Sequence, residues 1–549
     1  MLARFRLPIS STTRVIINHR ISCTFSTVTP SNSKFSTSTA PTIDFQDAKT
    51  SFAGKTTYEL LLSCGVFTLC TIPPLVNNAH TLINLSYKIF SKPLTNFIVK
   101  KTFFAQFCGG ETTDDLKPCI SMLNRSGING ILDYAAENAP DEDSSSSSSP
   151  KPTHTAVTTN QPARVFRYLG EDTCDHHVEI FKSCIDAVKT VTPNGFAALK
   201  ITALGDPILL ERMSKCIIEA AALFDKFDRD GDGRISREEF VETYNEYFTE
   251  SKHGFMNDLL DRLDPENLGR ISVIEWSKLL QPTDVPKLVS RCKIEGSLFK
   301  SAPDEEDLIA LANTKRRLDE IAKFAFDRKV RLLIDAEQTW FQPAIDNFTL
   351  QLMQKYNSFD KTDVPIVFNT YQCYLKDATK RVKMDVRRAK KGEFHFAAKL
   401  VRGAYMVAEN GRAEDLNRAS PIHDSLQNTH DCYNRTVEWL FEHRRQFKTS
   451  AEVMLGSHNQ ETIEKAVKII GSGEDDLGAH FAQLLGMRDN LTFALGKNKY
   501  NAYKYVPYGK VDEVMPYLIR RAQENSDVAL GMGEELEIIK EELRNRMGI

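Results

Sequence analysis

Short apolar runs rich in Val, Ile, Leu and aromatic residues recur along the chain, and most are separated by segments with the amphipathic spacing of helices. Buried parallel strands have this nearly continuous apolar character, and their alternation with helices is typical of α/β proteins. Eight runs fit this description: residues 128–134, 198–204, 330–336, 366–374, 397–405, 451–458, 480–487 and 503–508. The pattern therefore predicts eight parallel strands connected mainly by helices.

The number of runs predicts a (β/α)₈ barrel of the TIM type. Without two inserted segments, residues 128–525 leave about 280 residues, near the roughly 250 typical of this barrel. An open doubly wound sheet is the alternative, but no G-x-G-x-x-G motif follows any run, so a Rossmann dinucleotide site has no support. We expect the barrel at 128–207 and 301–530, an N-terminal helical region at 44–127 and a C-terminal helix at 531–549.

Two segments interrupt the barrel pattern. Residues 139–163 include six consecutive serines, Ser144 to Ser149, and several prolines. Such a stretch buries too little apolar surface to offset the entropy of ordering it, which predicts a flexible surface loop. The second segment, residues 208–300, has helical spacing around two acidic motifs.

The first acidic motif, DRDGDGRISREE at residues 228–239, matches the twelve-residue calcium loop of an EF-hand. Gly233 takes the turn at position 6, and Arg234 would offer its backbone carbonyl at position 7. The carboxylates at positions 1, 3, 5 and 12 belong to Asp228, Asp230, Asp232 and Glu239. This spacing wraps oxygen ligands around a hard cation, so the sequence predicts a Ca²⁺ site.

The second motif starts at Asp264 and is incomplete. Leu268 at its position 5 has no side-chain oxygen, so we expect weak or no calcium binding there. Ile235 and Ile271 occupy position 8 of the two loops and would pair as a short β-contact. Together the motifs predict an inserted all-α EF-hand module at 208–300.

The composition excludes several classes of protein. A hydrophobic share of 41%, a charged share of 26% and a net charge of −3 are ordinary for a globular enzyme. No basic stripe with interleaved aromatic residues appears, so nucleic-acid binding is not indicated. The 11 cysteines include no C-x-x-C pair, which suits a reducing compartment.

The first 43 residues have the composition of a mitochondrial transit peptide, with many Ser and Thr and no acidic residue before Asp44. A disordered basic tail is the alternative. Residues 58–76 are mostly apolar and approach the roughly 17 to 25 residues of a membrane span, but Glu59 and Pro73-Pro74 favour a packed or interfacial helix. The basic residues of the leader are Arg4, Arg6, Arg14, Arg20 and Lys34.

Charged residues stand near the ends of the second and third predicted strands, where the active sites of such barrels lie. Lys200 interrupts the second run, while Asp335 and Glu337 follow the third at period two and therefore share one face. A buried charge is costly unless it is paired, so we expect Lys200 to contact a carboxylate. A structural salt bridge lining the barrel explains this pattern equally well.

The segment PYLIRRAQEN, residues 516–525, places Arg520 and Arg521 four and three residues before Glu524. On a helix, one carboxylate at these spacings can orient both guanidinium groups into a fork for a substrate carboxylate. On residue types alone, an exposed helix with ordinary ion pairs is the simpler interpretation.

The motifs LVRGAY, GSHN, QLLGM, YKYVPYG and RRAQEN occur in this order and resemble those of the proline dehydrogenase (proline oxidase) family. The resemblance covers about residues 50–528, apart from the serine-rich loop and the calcium module. It implies FAD-dependent oxidation of L-proline to Δ1-pyrroline-5-carboxylate by hydride transfer, with electrons passed to a membrane quinone. It also implies a matrix enzyme at the mitochondrial inner membrane.

The resemblance also implies roles for individual residues. Arg520, Arg521 and Lys200 would bind the substrate carboxylate, with Glu524 holding the arginines and Asp335 holding Lys200. Three tyrosines would close over the substrate ring, and five polar residues would contact the cofactor. The tyrosines are Tyr405, Tyr505 and Tyr517, and the cofactor residues are Gln372, Lys399, Arg402, His458 and Asn459. Lys399 departs from the arginine usual in bacterial relatives.

Two other functions fit parts of the sequence. Hydroxyproline dehydrogenases share the scaffold, but relatives of that type tend to have a smaller residue where Tyr505 stands. A non-catalytic calcium-binding adaptor would have lost the flavin. Calcium modulation of the enzyme is a separate hypothesis.

Overall fold

The structure is a computed structural model that describes residues 43–135, 166, 168–249, 254–279, 281–447, 451–471, 477–527 and 529–548. Residues 1–42 of the predicted transit peptide and the whole predicted serine-rich loop lie outside the described residues. The chain divides into two compact units. One contains Ile217–Ala302, and the other contains Thr37–Cys216 and Pro303–Ile549.

Eight parallel strands close into a barrel in the order β1, β10, β9, β8, β7, β6, β5, β2. This confirms the predicted (β/α)₈ class, and each of the eight apolar runs overlaps one barrel strand. The strands of the described chain are β1 Ile128–Tyr134, β2 Phe196–Leu199, β3 Arg234–Ile235, β4 Ile271–Ser272, β5 Arg331–Ile334, β6 Val367–Gln372, β7 Ala397–Val401, β8 Glu452–Gly456, β9 Ala479–Leu484 and β10 Ala502–Tyr508.

Several runs extend beyond their strands at the carboxyl end. The clearest case is the run at 198–204, because β2 ends at Leu199 and a single 3₁₀ turn follows at Ile201–Ala203. These turn residues are as buried as the strand. Apolar character marks burial and not extended backbone, so it continues into the loops above the barrel.

Helices connect the strands and flank the barrel. A π-helical turn at Lys100–Phe104 follows α5. The α-helices of the described residues are α1 Ala48–Ser51, α2 Thr57–Cys70, α3 Pro73–Asn77, α4 Ala79–Phe90, α5 Lys92–Val99, α6 Ala105–Phe107, α7 Thr113–Arg125, α8 Glu171–Val191, α9 Pro207–Phe227, α10 Arg237–Tyr247, α11 Phe255–Leu263, α12 Val273–Leu279, α13 Val285–Val289, α14 Ser297–Ser301, α15 Glu305–Arg328, α16 Gln342–Tyr356, α17 Ala378–Lys391, α18 Met406–Asp415, α19 Leu426–Phe447, α20 Gln460–Ile470, α21 Asp489–Lys497, α22 Met515–Asp527 and α23 Ala529–Met547.

The barrel interior is a packed core. Phe196 and Phe368 meet edge to face with ring centroids 5.2 Å apart, and both side chains are fully buried. Leu333 and Met454 fill the same layer from other strands. Inward-pointing side chains therefore close the barrel below its carboxyl end, as in other TIM barrels.

Pro73 divides the predicted apolar segment 58–76 into α2 and α3, because proline is tolerated in the first turn of a helix and not in its interior. Leu60 and Phe67 of α2 are buried in a core shared with Leu518 of α22. The packed-helix interpretation of this segment therefore agrees with the structure. Within the described part of the chain, no helix combines the length and apolar character needed to cross a membrane.

Candidate functional sites

Polar side chains line the carboxyl-terminal opening of the barrel. On four strands, a polar residue stands two positions after an apolar residue of the barrel core, so both face inward. The pairs are Ile131 and Asp133, Leu333 and Asp335, Ala397 and Lys399, and Tyr503 and Tyr505. The opening is the usual position of a TIM-barrel active site.

Asp335 connects two of these residues. The Lys399 Nζ atom donates a hydrogen bond to Oδ1 of Asp335 at 2.5 Å, and the Tyr505 hydroxyl donates to Oδ2 at 3.1 Å. The Lys399 ammonium also lies 5.6 Å from the centroid of the Tyr505 ring. Both oxygens of Asp335 therefore have partners that the strand pattern did not indicate. The prediction that Asp335 orients Lys200 stays a prediction.

Glu337 is fully buried beside the same opening. Thr202 donates to its carboxylate from the backbone N–H at 3.2 Å and from the hydroxyl at 2.8 Å. Burial raises the pKa of Glu337 to about 7, while the Thr202 hydrogen bonds and the positive charge of Lys200 favour the ionised form. Its backbone carbonyl accepts a hydrogen bond from Nε2 of Gln372 at 2.7 Å. Glu337 is thus a carboxyl that changes charge near neutral pH.

Two tyrosines reach toward the loop after β5. The Tyr405 hydroxyl donates to the carbonyl oxygen of Ala336 at 3.3 Å. Burial, followed by the charges of Asp133 and Asp335, raises the pKa of Tyr505 well above its usual value. Asp133 was missed in the sequence analysis. Its signal is a carboxylate inside an apolar run, which is the same signal that identified Asp335.

Helix α22 is buried on the side that holds the predicted fork. Arg520 and Arg521 are only 7% and 8% exposed, which excludes the simpler interpretation of an exposed helix. The Arg521 guanidinium forms an ion pair with Glu524, as predicted, and lies 4.9 Å from the centroid of the Tyr517 ring. The Tyr517 hydroxyl is buried and has no hydrogen-bond partner among the residues that the structure describes.

Arg402, which follows β7, is held by three hydrogen bonds. Its Nε atom donates to Nδ1 of His430 at 2.8 Å, and its terminal nitrogens donate to Oγ of Ser457 at 2.7 Å and Oγ1 of Thr462 at 2.9 Å. Burial lowers its pKa, although a guanidinium stays charged. These partners connect β7 to the start of α20 and were not apparent from the sequence.

His458 and Asn459 form the turn between β8 and α20. The Nε2 atom of His458 accepts a hydrogen bond from the backbone N–H of Leu484 at 3.0 Å, so Nδ1 carries the hydrogen of the neutral ring. Asn459 caps α20 by accepting from the N–H of Thr462 at 2.8 Å.

Four basic side chains influence the charge state of His458. Burial lowers the pKa of His458 to about 3, and the nearby positive charges act in the same direction. Those charges belong to Lys504, Arg521, Arg488 and Arg402. A neutral N–H donor among four cations, next to the N-terminus of a helix, suits anionic groups such as phosphates and carboxylates.

The acidic motif at residues 228–239, in the unit Ile217–Ala302, brings its carboxylates together. One oxygen from each of Asp228, Asp230 and Asp232 lies within 4.8 Å of the others. Glu239 accepts from the backbone N–H groups of Arg229 at 3.0 Å and Asp230 at 3.3 Å, so it faces the same loop. Among the described residues, the buried Oδ1 atom of Asp228 has no hydrogen-bond partner.

The two loops of this unit pair through β3 and β4. Ile235 and Ile271 are opposite each other in this short antiparallel sheet, as predicted. In the second loop, Asp264 accepts hydrogen bonds from the backbone N–H groups of Leu268 at 2.8 Å and Gly269 at 2.7 Å. Its carboxylate oxygens are therefore used by the loop backbone.

The closed parallel barrel and the ionisable side chains at its carboxyl end define the chain as a (β/α)₈-barrel enzyme. The sequence profile described as proline dehydrogenase matches residues 120–532. The chain belongs to this oxidoreductase family, which confirms the resemblance found in its motifs.

Individual relatives agree with this assignment. Human "proline dehydrogenase 1, mitochondrial" is 34% identical over 545 residues, which is 92% of this chain and 90% of that protein. Hydroxyproline dehydrogenase of Xenopus laevis is 28% identical over 528 residues, covering 95% of each. Among solved structures, proline utilization A of Bdellovibrio bacteriovorus, inactivated by N-propargylglycine, matches with a TM-score of 0.50 and 14% identity. That match covers 88% of this chain but 38% of the other, and it supports the fold alone.

Proposed function

We propose that this chain oxidises L-proline to Δ1-pyrroline-5-carboxylate, with FAD as the hydride acceptor and a membrane quinone as the final electron acceptor. Family membership supports the oxidation of proline. One observation carries the finer proposal: α22 buries two arginines and a tyrosine at the barrel opening. The negative charge of Asp133 helps to raise the pKa of both Tyr505 on β10 and Tyr517 on α22. Helix α22 therefore lies close to the residues that contact Asp335.

The substrate carboxylate would bind to Arg520, Arg521 and Lys200. Guanidinium groups recognise a carboxylate through paired hydrogen bonds, and burial strengthens each bond. Glu524 would hold the two arginines, and it forms an ion pair with Arg521. The rings of Tyr405, Tyr505 and Tyr517 would enclose the apolar carbons of proline and exclude water.

The donor set at the opening fits FAD. Gln372 and Lys399 would contact the flavin ring. Hydrogen bonds to the carbonyl oxygen of Glu337 and to Asp335 hold these two side chains in place. Arg402, His458 and Asn459 would hold the phosphates and adenosine, because they combine positive charge, an N–H donor and a helix N-terminus. When bound, FAD would supply the redox chemistry, while the protein supplies position and electrostatics.

When bound, FAD would accept the hydride from the ring C–H bond beside the substrate nitrogen. The nitrogen lone pair forms the new C=N bond, and the remaining N–H proton leaves to solvent. The amine must be neutral for this step, so activity should rise with pH until the amine is deprotonated. Arginines that clamp the carboxylate would align the C–H bond, and most of the rate gain would come from this orientation.

The unit at Ile217–Ala302 would be an EF-hand pair inserted in the barrel, and its bounds lie close to the predicted 208–300. Its first loop would bind Ca²⁺ through Asp228, Asp230, Asp232, Glu239 and the carbonyl of Arg234. Burial and the neighbouring carboxylates raise the pKa of Asp228, a repulsion that a cation would relieve. Calcium binding would modulate the enzyme.

The proposed location is the mitochondrial matrix, with peripheral association at the inner membrane. The basic leader at residues 1–43 supports import. The name of the human relative includes the word mitochondrial. A membrane quinone as acceptor would require contact between the enzyme and the bilayer surface.

Hydroxyproline oxidation is the second candidate, because a hydroxyproline dehydrogenase matches along 95% of the chain. Tyr505 favours proline, since its bulky ring is fixed by Asp335 where an added hydroxyl would need room. Comparing the rates of the two substrates decides between these activities.

The central test is anaerobic addition of proline to purified protein while flavin absorbance is followed. Bleaching of a yellow flavin spectrum would support cofactor, substrate and reaction together. A colourless protein that proline leaves unchanged would instead favour a non-catalytic calcium-binding adaptor.

A further inference from the structure

Helices α4 and α5 expose an apolar surface next to the barrel's N-terminal helices. The two helices contact each other, and the Tyr87 hydroxyl of α4 donates to Oδ1 of Asn96 on α5 at 3.0 Å. Among the exposed side chains, Ile89 is 62% and Phe97 58% exposed. The full set, called here the α4–α5 surface, is Leu82, Leu85, Ile89, Phe90, Leu94, Phe97 and Ile98.

The spacing of these exposed residues gives each helix one continuous apolar face. Leu82, Leu85 and Ile89 follow one another at i, i+3 and i+7 along one face of α4. Leu94, Phe97 and Ile98 repeat the pattern on α5 at i, i+3 and i+4. No residue of α4 is fully buried. Ala79 and Ile83 pack partly against the core, whereas Leu82, Leu85 and Ile89 stay exposed. Single exposed apolar residues are normal, whereas a grouped set marks an interaction surface.

The charge of this region identifies the kind of partner. Between Glu59 and Glu111 the chain has no acidic residue and four basic ones, Lys88, Lys92, Lys100 and Lys101. All four lysines are exposed. Lys92 and Lys100 form ion pairs with Asp512 and Glu111, while Lys88 and Lys101 form none with the residues described in the structure. Apolar side chains on a segment whose own charged residues are all basic complement the surface of an anionic bilayer.

The size of the helices suits binding in the plane of the membrane surface. They have 12 and 8 residues, far too short to span a bilayer. Apolar side chains on two adjacent short helices can enter the headgroup region while the lysines contact lipid phosphates. Residues 58–76, the membrane candidate of the sequence analysis, instead bury Leu60 and Phe67 in the protein.

We propose that the α4–α5 surface docks this protein on an anionic phospholipid bilayer. The inference rests on the proposed transfer of electrons to a quinone, because that acceptor is dissolved in the bilayer. Docking through this surface would hold the enzyme at the bilayer in which its electron acceptor is dissolved.

Sedimentation with vesicles tests the proposal, using phosphatidylcholine alone and phosphatidylcholine mixed with cardiolipin. We expect the full-length holoenzyme to bind the cardiolipin vesicles, and to bind less in high salt because screening weakens the lysine contribution. The double substitution I89S/F97S should weaken binding at least about tenfold, since two large apolar side chains are lost from the interface. The double substitution K88Q/K101Q should weaken binding to cardiolipin vesicles and reduce its salt dependence.

The matched control is Leu426→Ser on α19, where Leu426 is 70% exposed outside this surface. It should bind vesicles like the unmodified protein. Unchanged binding of I89S/F97S would overturn the proposal. So would self-association of the unmodified protein without lipid that I89S/F97S abolishes, because the surface would then join copies of the chain.

Anaerobic flavin reduction by proline separates this inference from the proposed function. I89S/F97S should keep the unmodified rate of flavin reduction and lose reduction of a quinone incorporated in vesicles. A protein without any flavin reduction would refute the proposed function, while its vesicle binding would still decide the role of the surface. Equal quinone reduction by I89S/F97S and the unmodified protein would overturn the docking role.

Discussion

The Lys399 ammonium lies 2.5 Å from Oδ1 of Asp335, and the pair spans the barrel opening across strand β6. The second oxygen of Asp335 accepts the hydroxyl of Tyr505 from β10. One carboxylate therefore joins the ends of three strands that are not neighbours in the chain. Because the pair is largely buried, removing either charge leaves the other without compensation.

Asp335→Asn should lower both stability and activity. The substitution leaves the Lys399 ammonium without its counter-charge, and loss of one partner of a buried ion pair costs about 3 to 5 kcal/mol. We expect the free energy of urea unfolding to fall by this order and proline oxidation to be strongly reduced. Asp319→Asn is the matched control, because Asp319 forms an exposed ion pair with Lys355. Equal stability of the two variants would contradict a stabilising role for the contacts of Asp335 with Lys399 and Tyr505.

Glu337 should make stability depend on pH. Folding raises its pKa from 4.5 to about 7, so its contribution is most favourable below about pH 4.5, where the group is protonated in both states. Between about pH 4.5 and 7 the unfolded chain ionises first, and the free energy of unfolding falls by an amount on the order of 3 kcal/mol. Glu337→Gln lacks this titration, so its stability relative to the unmodified protein should increase across that window. Urea unfolding at several pH values measures the difference, with the exposed Glu442→Gln as a control that should show no such trend.

Arg521→Lys should impair the binding of proline. Lysine keeps the charge but loses the planar fork and the stacking on Tyr517, so kcat/KM for proline should fall roughly 10- to 100-fold. Steady-state kinetics should place much of the loss in KM. Arg435→Lys, at an exposed position of α19, should change neither constant. A normal KM in Arg521→Lys would argue against contact with the substrate carboxylate.

Tyr505→Ser should shift the preference toward hydroxyproline. Removing the ring makes room for the added hydroxyl, and a change of this size in a pocket alters the ratio of kcat/KM values roughly tenfold or more. Tyr505→Phe is the matched control, because it removes the hydroxyl and its hydrogen bonds to Asp335 and Asp133 and keeps the bulk of the ring. The preference of the Phe variant should stay with proline. If both variants kept the same substrate ratio, Tyr505 would not determine the specificity.

Asp228→Asn should weaken calcium binding at least about tenfold, because affinity depends on the number of charged ligands in the loop. Isothermal titration calorimetry of the full-length protein measures the effect, and calcium should raise Tm only when it binds. Asp264→Asn in the second loop is the control and should leave the main binding event unchanged, since Leu268 at position 5 of that loop offers no side-chain oxygen. Measured activity with and without calcium would then show any modulation.

The sequence by itself determined the number of barrel strands and the chain segments that contain them. Apolar runs at 128–134 and 503–508, for example, correspond closely to β1 and β10. Local composition is sufficient here because a strand buried on both faces must be apolar along its length. The ion pair of Arg521 with Glu524 on α22 was also predictable from the sequence, because the contact spans less than one helical turn.

Only the tertiary structure decided which distant residues became partners. Asp335 pairs with Lys399 and Tyr505, Arg402 with His430 and Ser457, and none of these contacts follows from spacing along the chain. Tertiary packing likewise buried one side of α2 and of α22 and left Leu82, Leu85 and Ile89 of α4 exposed. The physical reason is that sequence periodicity specifies which face of an element is apolar, while barrel closure and helix packing determine what covers that face.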